Sequence, residues 1–349
     1  MRWLLTVWKD SEILLAMHLY WFRSWMLLSL IFLNSCSVSS EAQPPADPPA
    51  PRALGAQSGA HKNMVDLKPI ATFDVGGDPD WMAVSANAVW VTISSKNQVK
   101  QLRAKDNTVG LTITVKEPCS GLVAAFGSLW VPSCGSHELV RASLRTGKIQ
   151  ATIAVVPADS EGGITAGAGS VWMASSSGRK LARINPQTNK MIAAIAIPTG
   201  SFCPFYFAGY VWVTSTENSV LTKISPRTNR VLARIPVGKN PRFLTAGAGA
   251  IWTLNQGDGT ITRVDAISNR RVADIPAGLA GKGGEIAFGF NAVWATLEKF
   301  PVTHVDAVTN SIMSQWSGAG GDSVRAAHGS IWLTDLRGGK VWRIDPGTL

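Results

Sequence analysis

Short runs of alternating apolar and polar residues, separated by glycine turns, recur seven times along the chain from about residue 64. The clearest copy is residues 241–272, PRFLTAGAGAIWTLNQGDGTITRVDAISNRRV, in which Ala-Gly-Ala-Ile-Trp places a Trp on an apolar run just after a glycine turn. Short alternating runs bounded by Gly are hairpin signals. The pattern therefore predicts an all-β domain built from one repeated unit.

The spacing of the repeated Trp indicates the architecture. The seven copies carry Trp90, Trp130, Trp172, Trp212, Trp252, Trp294 and Trp332. The steps between them are 40, 42, 40, 40, 42 and 38 residues. A period near 40 residues with about four strand-like runs per period is typical of propeller blades. We predict a seven-bladed β-propeller of four-stranded antiparallel blades, in which each Trp packs between neighbouring blades rather than around a ligand.

The two ends of the repeat array complement each other. Residues 65–75, VDLKPIATFDV, resemble the last strand of a repeat whose first three strands are missing. Residues 340–346, KVWRIDP, match a third strand, and the chain then stops at Leu349. We therefore predict that residues 68–75 supply the fourth strand of the last blade. This pairing closes the ring and removes an exposed sheet edge.

The N-terminal part has a different composition. Residues 1–36 fit a secretory signal, because the apolar stretch 25–33, WMLLSLIFL, follows Arg23 and precedes Asn-Ser-Cys. Residues 33–36 resemble a bacterial lipobox, which implies lipidation of Cys36; the alternative is an uncleaved membrane anchor over residues 13–33. Residues 37–63, rich in Pro, Ala and Ser, predict a flexible linker, and residues 64–349 the propeller. The expected location is extracytoplasmic, either periplasmic or at the cell surface.

The chain is basic, with 33 Lys and Arg against 23 Asp and Glu, a formal net charge of +10. The basic residues are scattered through the repeats and form no run that could follow a phosphate backbone, so no nucleic-acid partner is expected. We interpret them as charges that keep exposed sheet edges from pairing. They are Arg141, Lys148, Lys180, Arg183, Lys223, Arg227, Arg230, Arg234, Arg263, Arg270 and Arg271.

Candidate binding residues lie about ten positions before each Trp, where the first strand of a blade should open into the central channel. The ring at this position contains Asp80, Trp81, Ser120, Glu161, Gly162, Phe202, Cys203, Arg242, Glu285, Asp322 and Arg325. From it we select Asp80, Trp81, Glu161, Arg242, Glu285, Asp322 and Arg325 as a site for a small polar ligand or a peptide. The alternative is that these charges only solvate the channel mouth. No cofactor is predicted; Ca²⁺ or Mg²⁺ held by the acids stays an alternative, without a local Asp-x-Asp-x-Asp pattern to support it.

Cysteines and histidines add little chemistry. Cys119 and Cys134 are equidistant from a hairpin turn at residues 126–127, which predicts a disulfide, with two buried thiols as the alternative. Cys203 is expected to be free and unreactive. The histidines show no zinc-ligand spacing, and no Gly-x-Ser-x-Gly motif is present.

The third repeat resembles a known family. Its units AGAGSVWM, residues 166–173, and KLARINPQTNKMIAAI, residues 180–195, are similar to the YVTN and YncE-like bacterial propellers. The resemblance covers about residues 64–349 and implies a secreted or periplasmic seven-bladed propeller that serves as a binding scaffold. It does not by itself transfer an activity.

This sequence lacks the catalytic motifs of two enzyme families that have similar repeats. Streptogramin lyases carry Trp-Phe-Thr-Glu and a catalytic His, whereas no repeat Trp here is followed by Phe-Thr-Glu, although Glu298 and Asp335 lie near the corresponding place. Quinoprotein dehydrogenases carry Thr-Gly-Lys with a Trp three positions later. Here Thr146-Gly147-Lys148 is followed by Ala151 at that position, so we interpret it as a hairpin turn.

These observations favour a monomeric, non-catalytic scaffold that recognises an envelope protein, a peptide or a small molecule at the channel mouth. The alternative from another class is a metal-dependent lyase or lactone hydrolase. That hypothesis requires Asp80, Glu161, Glu285 and Asp322 to converge within metal-binding distance. A third option, a purely structural envelope component, predicts a shallow mouth and a large apolar patch on one blade face.

Overall fold

The computed structural model describes residues 59–159, 161–278, 280–297 and 299–349. The predicted signal segment 1–36 with Cys36, the linker as far as residue 58, and Glu298 lie outside the described residues. No helix within the described ranges is both long and apolar enough to cross a bilayer.

In the described part of the chain, twenty-nine strands form seven sheets, one per blade. The strands that precede the repeats are β1 (Ala60–Asn63) and β2 (Ala71–Asp74). Blades 1 and 2 contain β3 (Pro79–Val84), β4 (Ala88–Ile93), β5 (Gln98–Arg103), β6 (Thr108–Thr114), β7 (Val123–Ala125), β8 (Ser128–Ser133), β9 (Glu138–Ser143) and β10 (Ile149–Ile153). Blades 3 and 4 contain β11 (Ile164–Gly167), β12 (Ser170–Ser175), β13 (Lys180–Asn185), β14 (Lys190–Ala196), β15 (Ser201–Phe207), β16 (Tyr210–Ser215), β17 (Val220–Ser225) and β18 (Arg230–Pro236).

Blades 5 and 6 contain β19 (Pro241–Gly247), β20 (Ala250–Asn255), β21 (Thr260–Asp265), β22 (Arg271–Pro276), β23 (Ile286–Gly289), β24 (Ala292–Leu297), β25 (Phe300–Asp306) and β26 (Ser311–Ser317). Blade 7 contains β27 (Val324–Ala327), β28 (Ser330–Asp335) and β29 (Lys340–Ile344). Three single-turn 3-10 helices cover Met64–Asp66, Ser94–Lys96 and Pro346–Thr348. The all-β seven-bladed propeller with antiparallel four-stranded blades is thereby confirmed.

The hairpins form where the turn residues permit them. In blade 5 the turn between β19 and β20 has positive φ at Ala248 (49°) and Gly249 (72°), the combination that a tight two-residue hairpin requires. In blade 3 the turn after β13 is held by the Asn185 side chain, which accepts hydrogen bonds from the backbone N–H of Gln187 and Thr188. That turn ends at Asn189 with φ 57°. Asn tolerates this conformation better than most residues, which explains its recurrence at the position.

The ring closes as the sequence predicts. Strand β2 pairs antiparallel with β29, so that Ala71 lies opposite Arg343 and Asp74 opposite Lys340. It forms the outer strand of blade 7, within the range 68–75 expected to close the ring. Backbone pairing with β2 covers the edge of β29 and gives blade 7 four strands like the other blades.

Strand β1 was not predicted. It pairs parallel with β26 at the outer edge of blade 6, so the last four residues of the expected linker belong to a sheet. Its Lys62 ammonium lies 4.8 Å from the centre of the Trp316 ring and 3.1 Å from the Thr348 carbonyl oxygen. These contacts attach the strand to blade 6 and to the C-terminal turn. The Pro/Ala-rich composition that suggested a linker does not extend into Ala-His-Lys-Asn.

The seven repeated Trp form the buried layer between blades. Each is at most 1% exposed. In six of them the indole N–H donates to the backbone carbonyl five residues earlier, as in Trp172 to Gly167 at 3.0 Å. The same bond recurs because the Trp follows the turn of its hairpin at a fixed distance. A large aromatic ring with a satisfied N–H suits such a position.

Cations across the strand from the Trp connect neighbouring blades. Arg183 stacks on Trp172 with 4.7 Å from its Cζ to the ring centre. Its Nη1 donates to the Pro226 carbonyl oxygen and to Asn229 Oδ1 in the turn of the next blade, at 2.6 and 2.9 Å. The equivalent residues are Arg141, Lys223, Arg263 and Arg343. For Arg141, Arg183, Lys223 and Arg263 the sequence interpretation as edge-protecting charges is therefore wrong.

Two blades lack this cation, and both lack its acceptor. Blade 1 has Gln101 opposite its Trp, and the facing turn of blade 2 has Gly147 where other turns have Asn. Blade 6 has His304, which stacks on Trp294 at 4.2 Å, and the facing corner of blade 7 is where the chain ends. Cation and turn Asn therefore occur together, as expected if the pair stabilises the contact between blades.

Candidate functional site

Every blade places its innermost strand around the central channel with the same polarity, so the residues that open these strands meet at one end. Nine and ten positions before each Trp define two rings of residues at this end. The ring at nine positions is Trp81, Gly121, Gly163, Cys203, Phe243, Glu285 and Ser323, and the ring at ten is Asp80, Ser120, Gly162, Phe202, Arg242, Gly284 and Asp322. We call this end the channel mouth.

A first ion pair crosses from blade 5 to blade 3. Arg242 Nη2 lies 2.9 Å from Glu161 Oε1. Between them, in blade 4, the Phe202 ring lies under the guanidinium, with 4.1 Å from Arg242 Cζ to the ring centre. Phe202 packs edge-on against Phe243 at 5.5 Å, and Phe243 packs against Trp81 at 5.4 Å. Three buried aromatic rings therefore form an apolar layer next to this ion pair.

A second ion pair joins blades 6 and 7. Arg325 Nη1 lies 2.5 Å from Glu285 Oε1, and the Ser323 hydroxyl donates to the other oxygen of the same carboxylate. The Glu285 side chain is only 6% exposed. Because a buried carboxylate without partners is costly, these two donors are what allow Glu285 to lie here.

A third group of residues surrounds Asp80. The Ser120 hydroxyl donates to Asp80 Oδ2 at 2.5 Å, which joins blade 1 to blade 2. Asp322 of blade 7 is also near this carboxyl group, because its charge and a side-chain hydrogen bond raise the pKa of Asp80. Among the described residues, the ion pairs of Arg242 and Arg325 are with Glu161 and Glu285, and neither arginine forms an ion pair with Asp80.

Four carboxyl groups of the mouth are harder to ionise than usual. Burial raises the pKa of Asp80 well above its ordinary value; the charges of Asp322 and Glu161 and the hydrogen bond with Asp322 raise it further, against the Ser120 hydrogen bond. Burial also raises the pKa of Glu161 and of Glu285, although Arg242 and Arg325 oppose it. Burial raises the pKa of Asp159, whose carboxylate accepts the backbone N–H of Glu161 at 2.9 Å. The mouth is thus a partly buried acidic cluster in which two arginines offset only part of the negative charge.

We expect stability to depend on the protonation of Asp80. In the unfolded chain its carboxyl ionises near 3.8, whereas the folded protein holds the proton to higher pH. The free energy of unfolding therefore falls as pH rises from 3.8 through the folded pKa, by at most about 1.4 kcal/mol per pH unit for one proton. The measurement is urea unfolding between pH 4 and 8. The Asp80→Asn variant should show a smaller decline than the wild type.

Asp306 provides a control of opposite sign. Backbone N–H donation, first from Thr309, lowers the pKa of Asp306, so its stabilisation is present above 3.8 and is lost as pH falls through the folded pKa. Asp306→Asn should therefore lower stability at neutral pH. If Asp80→Asn and the wild type have parallel pH profiles, Asp80 is not a protonated group of the folded state.

All seven residues selected from the sequence lie at the channel mouth, and the network also includes residues that we had not selected. Asp159 and Ser323 were missed, although Ser323 occupies the same repeat position as Glu285. Counting nine positions back from every Trp, rather than choosing the charged residues, would have found it. Asp159 gave no such signal, because it lies in a connection longer than the repeat predicts.

The described cysteines and histidines provide no reactive group at the two rings of the mouth. Cys119 and Cys134 are bonded to each other beside the mouth, with their Cα atoms 5.1 Å apart. Cys203 is a buried free thiol, and burial raises its pKa, as expected of an unreactive group. The described histidines lie away from the two rings, in β1, the β8–β9 hairpin, β25 and the β27–β28 turn.

The metal-dependent alternative required four carboxylates to converge. Within the described part of the chain, no group of three or more His, Cys, Asp or Glu side chains is placed to hold a metal ion. Glu161 and Glu285 instead face arginines, and Asp335 accepts the Gly338 backbone N–H at 2.9 Å. The geometry therefore offers acid–base pairs at the mouth and no cage of oxygen ligands.

Comparison with known proteins supports the fold. No family model matches the chain, and no curated protein matches it. Among solved structures it is similar to streptogramin B lyase, with 17% identity and a TM-score of 0.66 over 78% of this chain and 96% of that one. It is also similar to hydrazine synthase of Kuenenia stuttgartiensis, with 13% identity and a TM-score of 0.64 over 79% and 97%. At such identities the similarity shows the fold alone, which is the seven-bladed β-propeller.

Proposed function

We propose that this propeller is an extracytoplasmic binding scaffold whose channel mouth recognises a cationic group of a small molecule or a peptide. The observation that carries the proposal is the charge of the mouth. Five carboxyl groups lie there, those of Asp80, Asp159, Glu161, Glu285 and Asp322, against the two guanidinium groups of Arg242 and Arg325. Five negative and two positive charges leave three acids uncompensated when all are ionised. A ligand cation would supply what the protein lacks.

The shape of the channel supports a ligand of side-chain size. The channel next to the mouth encloses a cavity of about 290 Å³, lined by the inner strands of all seven blades, with Glu285 and Arg325 among the lining residues. This volume is at the lower end of the range for small-molecule pockets, about 300–1,000 Å³. A single Lys or Arg side chain, or a small amine, fits such a space better than a folded domain.

The compartment is part of the same proposal. The disulfide between Cys119 and Cys134 suits an oxidising environment, as expected for an exported protein. A binding function there needs no cofactor.

Calorimetric titration of the full-length chain with trilysine tests the proposal. We expect one site per chain and no binding of trilysine acetylated on its side chains, because acetylation removes the charge. A cation next to Asp80 favours its carboxylate, so binding should release protons and strengthen as pH rises through the folded pKa. Titrations in buffers of different ionisation enthalpy measure that release.

Substitutions locate the site. The Asp80→Asn/Asp322→Asn double variant should bind trilysine about tenfold more weakly or worse, because charged hydrogen bonds contribute about 1.5–3 kcal/mol each. The matched control is Asp265→Asn/Asp306→Asn, which removes the same charge from turns between third and fourth strands. Equal binding of the charged and acetylated peptides, or wild-type affinity in the mouth variant, would contradict the proposal.

A further inference from the structure

Blade 6 departs from the repeat in the length of its hairpin. In six blades the second and third strands are joined by four residues, as in 256–259 of blade 5. In blade 6 only residues 298 and 299 lie between β24 and β25. The connection that leads into blade 6, residues 277–285, has nine residues, as against four in 237–240; the connections into blades 2 and 3 are also long, so the short hairpin is the feature specific to blade 6. Departures from a repeat are where a repeat protein places a specific site.

The shorter hairpin accompanies an open groove between blades 6 and 7. Its volume is about 760 Å³, within the range of small-molecule sites. Two glycine-containing connections and the β28–β29 hairpin form its walls, around residues 282–284, 318–322 and 335–338. A side chain at Gly320 would collide with the Trp342 ring, so glycine lets this wall lie directly on blade 7.

The groove carries cationic side chains that take no part in the ion pairs or blade-to-blade contacts described above. Lys282, Lys299 and Arg337 line it and are exposed. Within the described ranges none of the three has a carboxylate within 4.0 Å, unlike Arg242 and Arg325 of the mouth. None takes part in the blade-to-blade contacts that occupy Arg183 and its equivalents.

The acids of the groove are already occupied. Asp335 accepts the backbone N–H of Gly338 at 2.9 Å, which stabilises its own hairpin. Asp322 accepts the N–H of Gly284 at 3.4 Å and lies beside Asp80. Three positive charges therefore face a concave space that contains two acids, which leaves an excess of one positive charge when all five groups are ionised.

We propose that the groove between blades 6 and 7 binds a small molecule through a carboxylate or phosphate group held by Lys282, Lys299 and Arg337. The ammonium groups act as point charges, and the guanidinium of Arg337 offers paired N–H donors suited to either oxyanion. The site adjoins the channel mouth, with which it shares Gly284 and Asp322, but its three cations select a ligand of the opposite charge.

Calorimetric titration of the full-length chain with pyrophosphate, citrate and inorganic phosphate tests this inference. We expect saturable binding of at least one of these anions at one site per chain. Replacing Lys282, Lys299 or Arg337 by Ala should weaken it about tenfold each, as expected for loss of a charged hydrogen bond. Arg337→Lys should restore part of the affinity for phosphate, because it keeps the charge and loses the paired donors.

A control triple variant separates the groove from general basicity. Lys105→Ala/Arg145→Ala/Lys190→Ala also removes two lysines and one arginine, all exposed and far along the chain from the groove. It should bind within twofold of the wild type, whereas Lys282→Ala/Lys299→Ala/Arg337→Ala should not bind. The inference is overturned if none of the three anions binds at concentrations up to about 10 mM, which corresponds to very weak binding. It is also overturned if both triple variants lose affinity equally. Because the probes are anions and the mouth residues stay intact, this result is independent of the trilysine experiment.

Discussion

Replacing Trp172 by Ala should lower the free energy of unfolding by about 3–5 kcal/mol, the cost of emptying a fully buried aromatic site. The ring is 0% exposed, and its N–H donates to the Gly167 carbonyl oxygen at 3.0 Å. It packs with residues of blades 3 and 4, among them Ile195 and Val211, and it carries the Arg183 guanidinium. The substitution therefore removes packing between blades 3 and 4 as well as packing within blade 3. Urea unfolding followed by far-UV circular dichroism measures the loss.

Two further variants separate packing from other effects. Trp172→Phe keeps an aromatic ring and loses the N–H, so it should cost clearly less than the Ala variant. Trp342→Ala, at a partly exposed Trp of blade 7 outside the repeated position, should also cost less. If Trp172→Ala lowers the free energy of unfolding by less than about 1 kcal/mol, within the usual range for surface positions, the propeller does not depend on this contact between blades.

Removing the disulfide between Cys119 and Cys134 should cost about 3 kcal/mol, the expected entropy of a loop of 15 residues in the unfolded chain. The bond joins residues on either side of the β7–β8 hairpin, next to Ser120, which holds Asp80. The Cys119→Ala/Cys134→Ala variant should therefore unfold at lower urea concentration and also weaken trilysine binding. Both effects are measured on the same protein sample.

Reductant and the third cysteine provide the controls. Wild-type protein in strong reductant should match the double variant, and the double variant should not respond to reductant. Cys203→Ala should keep the full response, because Cys203 is a free thiol. If reductant leaves the wild-type unfolding curve unchanged while mass spectrometry shows the bond reduced, the disulfide does not stabilise the fold.

Much of the fold could be predicted because its signals are local. Alternating residues, glycine turns and a Trp every 40 residues or so establish strands, hairpins and blade count without any knowledge of contacts. Residues 68–75 resemble a fourth strand without a blade, and the last repeat has only three strands. These two observations together predict the closure of the ring. Strand β1 could not be predicted, because four residues of Ala-His-Lys-Asn carry no periodicity. Its place depends on the free edge of β26 and on the Trp316 ring.

The positions of the candidate site were predictable, but its pairings were not. Repeat counting places Asp80, Glu161, Arg242 and Glu285 at one end of the channel, because every blade repeats the same geometry. It gives no partner for any of them. Arg242 pairs with Glu161, 81 residues away and two blades apart, across the face of Phe202.

The sequence by itself determined the all-β class, the number of blades, the closing strand and the ring of residues at the channel mouth. Each of these follows from residue order within one repeat. Only the tertiary structure decided that strand cations join blades through Trp and Asn, that two acids of the mouth face arginines while Asp80 faces Asp322, and that a groove opens beside blade 6. These depend on the rotation between neighbouring blades, which brings together residues that are 40 or more positions apart in the chain.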